Sequence, residues 1–132
     1  MKKNGMLNSH IAKVLADLGH TDTIVVGDVG LPIPPGVPKI DLALTLGTPS
    51  FMEVVEAIAD DMVVEKIVIA EEMKRENKET LHDIQEQFQD CEIEACSHEQ
   101  FKERTRNAKA VIRTGEAKPY ANCILQAGVH FG

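Results

Sequence analysis

DLGHTDTIVVGDVGLPIPPG, residues 17–36, runs from the end of one regular element through a strand into a segment that cannot be regular. TIVVG (23–27) is a short apolar run with β-branched residues and reads as a strand buried on both faces. DVGLPIPPGVPK (28–39) carries four prolines, which remove backbone donors and fix φ, so it predicts an irregular loop. His20 stands just before the strand and Asp28 just after it. The pair is either helix punctuation plus a turn, or two polar groups meeting at the mouth of a cleft. A strand buried on both faces needs cover above and below, and the flanking sequence supplies it.

Upstream, SHIAKVLADL (9–18) places Ile11, Val14, Leu15 and Leu18 at helical spacing, with Gly19 as the stop. Downstream, IDLALTLG (40–47) predicts a second strand. Thr48 as N-cap with Pro49 at the first helical position predicts a helix through SFMEVVEAIADDM. VEKIVIA (64–70) predicts a third strand, and 71–90 one polar helix with Leu81, Ile84 and Phe88 on a single face. CEIEAC (91–96) alternates as an edge strand does. Ser97 and Gln100 form a capping box opening the next helix, and AKAVIRTG (108–115) and YANCILQAG (120–128) predict two last strands. Alternation of this kind implies one α/β domain over 1–132, a three-layer α/β/α sandwich around a largely parallel sheet.

Hydrophobic residues make up 43% of the 132 and charged residues 27%, a globular profile. The net charge of −7 argues against nucleic acid and against an anionic membrane surface. No apolar run approaches the ~20 residues of a membrane span, and no signal-peptide pattern follows the first lysines, so the expected location is cytoplasmic. Cys91, Cys96 and Cys123 lack C-x-x-C spacing, no H-x-x-x-H pair occurs, and no metal is expected. The strand-exit sequences VVGD, TLGT and RTGE match neither dinucleotide nor P-loop fingerprints.

Ligands of open α/β sheets bind beyond the carboxyl ends of the strands, which directs attention to polar residues there. His20 would follow a helix C-terminus, where the dipole favours positive charge; it reads as a proton donor or as a simple cap. His98 falls at the first position of a helix, where the dipole disfavours the imidazolium; it reads as a hydroxyl partner or as an exposed first-turn residue. His10, His82 and His130 show nothing comparable. Tyr120, the sole tyrosine in a chain without tryptophan, and Asn122 would share one side of a strand and face one polyhydroxy ligand, or else pack in the core and a turn. Val29, Leu31, Ile33 and Val37 in the proline-rich loop suggest an apolar surface for self-association.

The run M-K-K-x-G-x-L-N-S-x-I at the start, L-G-H-T-D, V-V-G-D-x-G-L-P-I-P and P-Y-A-N together resemble the D-ribose pyranase and fucose mutarotase family, closest to its ribose branch. The resemblance runs end to end. It implies interconversion of the β-pyranose and β-furanose forms of D-ribose, ahead of phosphorylation and without a cofactor. It implies His20 as the general acid and Asp28, His98, Tyr120 and Asn122 as sugar-binding residues, with His98 marking the ribose branch where the fucose branch has arginine. Lys102, one helical turn past His98, is a secondary contact candidate. The resemblance also implies a ring-shaped homo-oligomer, a decamer of two stacked pentamers, with sites between neighbouring subunits. The rival expectation is a non-catalytic sugar-binding accessory protein of a ribose uptake system, which would use the same residues without an acid.

Overall fold

The computed structural model describes residues 1–130. Six strands, β1 (Thr23–Gly27), β2 (Lys39–Asp41), β3 (Val64–Ala70), β4 (Glu92–Cys96), β5 (Val111–Arg113) and β6 (Cys123–Ala127), form one sheet in the order β2-β5-β1-β6-β3-β4. The pairs β1·β5, β2·β5 and β3·β4 are parallel, whereas β6 runs antiparallel to both its neighbours, β1 and β3. The largely parallel sheet therefore has one reversed strand near its centre. The segment 114–122 that leads into β6 contains no helix and is short for a parallel crossover.

Five helices accompany the sheet: α1 (Ser9–Asp17), α2 (Phe51–Ala59), α3 (Met73–Glu76), α4 (Lys78–Gln87) and α5 (His98–Arg104). Period-two alternation along the strands divides two cores. Ile24, Val26, Ile67, Ile69, Cys123 and Leu125 join Ile11, Phe51, Val55, Ile58, Met73 and Ile84 from the first four helices. Val25, Val68 and Ile124 point the other way, onto Phe101 of α5. Fully burying each such side chain contributes about 1.5–3 kcal/mol. Cys123 lies in the first core, and burial pushes its thiol up to about 12, so it behaves as a small apolar residue.

Among the described residues, the second face has one α-helix of its own, α5, and the proline-rich loop completes the cover. Leu31 is buried there, and Ile33 and Val37 pack partly buried beside it. Leu31 is thus committed to its own sheet, while Val29, Ile33 and Val37 keep part of their surface exposed. The large apolar residues that do stand exposed are elsewhere, chiefly Leu44 and Leu46 at 78% and 75%.

Several element boundaries shift for identifiable reasons. The second strand keeps only Lys39–Asp41, and the residues after it turn through a Thr45–Thr48 bridge. Thr48 and Pro49 precede the helix instead of opening it: Ser50 is the N-cap, in a complete capping box with Glu53. The polar helix over 71–90 divides at Asn77, which closes α3 and caps α4 by accepting from the Thr80 N–H at 3.2 Å. Asn8 caps α1 in the same way, and the Ser97–Gln100 capping box forms as its pattern predicts.

Gly115 explains one tight junction. A Cβ at this position would run into the carbonyl oxygens of Thr45 and Thr48, so the strand exit and the 45–48 turn approach each other only without a side chain.

Candidate functional site

The sheet register places the carboxyl ends of β1 to β5 and the start of β6 along one edge. Four of the five expected site residues lie there. Asp28 leaves β1 directly, and its backbone N–H donates to Asn122 Oδ1 at 2.8 Å while Asn122 Nδ2 donates to Asp28 Oδ2 at 3.2 Å. The reciprocal pair joins residues 94 positions apart. Gly27 makes room for it, since a Cβ there would meet Leu31 at 2.8 Å and Asn122 Oδ1 at 3.3 Å. Asn122 is 1% exposed and spends its amide on this clamp.

Burial raises the pKa of the Asp28 carboxyl, against the opposing hydrogen bonds from the Gly30 N–H and Asn122. The start of the loop is held from the other side. Arg113 Nε donates to the Val29 carbonyl at 3.1 Å while its Nη1 reaches the Asp41 carboxylate, and the Val29 N–H donates to the Glu116 carbonyl at 2.9 Å. Asp28 is therefore a fixed acceptor.

His98 opens α5 as its sequence position predicts. Its ring stacks on Phe101 with centroids 6.4 Å apart, and the Tyr120 ring meets it edge-on at 5.1 Å and 85°. Its Nδ1 is buried without a hydrogen-bond partner. An unpaired buried nitrogen of this kind costs about 1–3 kcal/mol, an expense that native structures concentrate at functional sites. Tyr120 does not lie in a strand beside Asn122, as its spacing suggests. It sits in the turn before β6 with φ of +57°, left-handed backbone that a bulky side chain rarely adopts, and its carbonyl accepts from the Asn122 N–H at 2.9 Å. Lys102 is paired with Glu99 at 2.8 Å and lines a groove with Pro32–Pro35, where it faces the proline loop.

His20 is at the other edge. It precedes β1, so the length of that strand alone separates it from Asp28 by about 13 Å. The two do not meet at the mouth of one cleft within the chain. What His20 does meet is Glu65: its Nε2 lies 3.1 Å from each carboxylate oxygen, and Gln126 Nε2 donates to the same carboxylate at 2.8 Å. The β3–β6 register shifts between Val64 and Lys66, and this bulge carries Glu65 toward the histidine. Hydrogen bonds from Gln126 and His20 hold the Glu65 carboxyl below the usual carboxylate range. Nothing local marks Glu65 in the sequence, because the contact joins residues 45 apart through a bulge.

The two edges offer complementary chemistry. One groups the Asp28 carboxylate, the His98 imidazole and the Tyr120 phenol, with the buried Asn122 amide fixing Asp28 behind them, a set suited to several hydroxyl groups. The other presents an exposed imidazole backed by a carboxylate, a group able to give and take a proton.

Known proteins share this architecture. The chain is 64% identical over 131 residues to the D-ribose pyranase of Bacillus licheniformis and 61% identical to that of Bacillus velezensis, covering 99% of this chain and 100% of each relative. The structure of Bacillus subtilis RbsD complexed with D-ribose superposes with a TM-score of 0.97 at 58% identity, covering 99% of this chain and 100% of that one. FucU from Bifidobacterium longum matches with a TM-score of 0.77 at 25% identity, covering 95% and 96% of the two chains. The profile of the RbsD / FucU transport protein family matches residues 1–130. With that match, and with full-length relatives of this identity, the chain belongs to the RbsD / FucU family.

Proposed function

We propose that this chain is a D-ribose pyranase that interconverts the β-pyranose and β-furanose forms of D-ribose by ring opening and reclosure. The observation that carries the reading is the 58% identity and near-complete superposition on a protein solved with D-ribose, and the polar cluster of Asp28, His98, Tyr120 and Asn122 on one edge of this sheet supports it. Opening the ring delivers a proton to the ring oxygen and removes one from the anomeric hydroxyl; reclosure through a different hydroxyl reverses both transfers. His20, backed by Glu65, is the proton donor in this reading. Asp28 accepts hydrogen bonds from sugar hydroxyls, and His98, Tyr120 and Asn122 hold the open chain while it rotates. General acid–base catalysis typically contributes about 10²- to 10⁴-fold, enough for a reaction that already proceeds in water.

The separation of the two edges favours a homo-oligomer. An acid on one edge reaches a sugar held on the other only if a second copy supplies it. Such a head-to-tail contact uses two different surfaces and closes into a ring when the rotation permits. A pentamer is one such closed ring, and two stacked pentamers, joined by a further contact, make the decamer. The six-membered ring of ribose closes through O5, so the substrate must be unphosphorylated there, which puts the reaction ahead of phosphorylation; a cytoplasmic location is part of the same reading. Among the described residues, no helix is long and apolar enough to cross a membrane.

The family's description as transport proteins favours a second reading, a sugar-binding accessory without turnover. Saturation-transfer NMR on ribose separates the two. Transfer between pyranose and furanose signals should rise in proportion to added protein. Ribose binding with unchanged exchange rates would reject the pyranase and leave the accessory.

A further inference from the structure

The short helix α3 has one turn and contributes no residue to the cluster of Asp28, His98, Tyr120 and Asn122. Its two ends are unusual, however. Glu72 stands at its N-cap but caps nothing with its side chain. Instead both carboxylate oxygens accept the backbone N–H of His98, at 3.0 and 3.2 Å. Asn77 stands at its C-cap, 7% exposed, and uses both ends of its amide. Oδ1 accepts from the Thr80 N–H, and Nδ2 donates to the Pro119 carbonyl at 2.9 Å. That carbonyl belongs to the peptide bond leading directly into Tyr120, the residue held at positive φ. Between the two caps, Met73 is fully buried and anchors the turn in the core.

We propose that Glu72 and Asn77 are positioning residues for the ribose site: one fixes the start of α5 that carries His98, the other fixes the turn that carries Tyr120, and α3 sets the distance between them. The edge-on contact of the two rings at 5.1 Å is the product of both grips. A side chain in left-handed backbone keeps its place only if the surrounding structure over-determines it, and the Asn77–Pro119 bond is a buried contact able to do so. The inference deepens the ribose reading and rests on it for its affinity readout.

Asn77→Ser separates the two jobs of the residue. Serine caps a helix as well as asparagine, so α4 keeps its start, but its hydroxyl is too short to reach Pro119. Tyr120 is the only tyrosine, so protein labelled with ¹³C-tyrosine shows one ring system. In Asn77→Ser those ring resonances should move toward unstructured values as the ring leaves His98. The Kd for ribose should rise about five- to tenfold, as loss of one buried hydrogen bond implies. Glu72→Ala should weaken ribose binding similarly, and Glu72→Gln, which keeps an acceptor, should restore most of it. Unmoved Tyr120 resonances with unchanged Kd in a folded Asn77→Ser protein would overturn the proposal. Should that variant not fold, equal ribose affinity in wild type and Glu72→Ala would overturn it as well. Resonances that move in Asn77→Ser, in a protein whose wild type binds no ribose, would refute the ribose reading and support the positioning device.

Discussion

Two inactive variants of this protein should make an active mixture. His20→Ala removes the proton donor from one edge of the sheet and leaves Asp28, His98, Tyr120 and Asn122 in place on the other. Asp28→Ala does the reverse. Neither should unfold the chain. His20 is exposed and its hydrogen-bonded contact with Glu65 lies at the surface, where such contacts contribute little. Loss of the Asp28 carboxylate frees the Gly30 N–H, which is solvent-exposed, and one of the two bonds to Asn122. If each site takes its binding edge from one subunit and its histidine from the next, a site in a randomly mixed ring works only when the first is His20→Ala and the second Asp28→Ala. At equal amounts that happens in about one half times one half of cases, so about a quarter of wild-type sites should be restored. The restored fraction follows the product of the two subunit fractions and peaks at equal mixing. Co-expression of differently tagged variants, tandem purification and saturation transfer on ribose would measure it. Exchange that never exceeds the weighted mean of the two parents, in rings shown to contain both, would refute the reasoning and return each site to a single chain.

His20→Ala alone should lower ribose exchange by about 10²- to 10⁴-fold with an unchanged thermal midpoint, read by NMR and calorimetry. Asp28 makes a prediction about pH. Because burial raises its carboxyl pKa, the folded chain holds this proton more tightly than the unfolded one, so its contribution to stability is complete at low pH and is lost as pH rises through the raised value. The stability of wild type relative to Asp28→Ala should accordingly increase as pH falls from neutrality toward about 4, by urea titration; a decrease would contradict the burial argument. Gly115→Ala should destabilise the fold by about 1–3 kcal/mol, since a methyl group there collides with the Thr45 and Thr48 backbone and only movement of the turn can relieve it. A urea midpoint equal to wild type would show that this junction is looser than its geometry indicates.

Apolar alternation and capping chemistry are local, and what depended on them was legible in the residues. TIVVG and VEKIVIA became β1 and β3, the Ser97–Gln100 box opened α5, and His98 took the first helical position. The family blocks singled out Asp28, Tyr120 and Asn122, and the capping-box position singled out His98; the fold brings all four to one edge. Other features rest on contacts between residues far apart in the chain, to which local patterning is blind. Strand direction is one: an apolar run such as CILQA carries no signal of which way its neighbours run, and only its pairing with β1 and β3, where Leu125 faces Ile24 and Ile67, shows that β6 is reversed. The proline loop is another, because its apolar residues look exposed until a sheet face with a single helix leaves them a surface to cover. Glu65, Glu72 and Asn77 carry no signature, since each acts through a partner more than twenty residues away. His20 and Asp28 were both named by the sequence. That they stand at opposite ends of β1 follows from a strand being straight and about 3.3 Å long per residue, and only the folded sheet gives each end its own neighbours, Glu65 for His20 and Asn122 for Asp28.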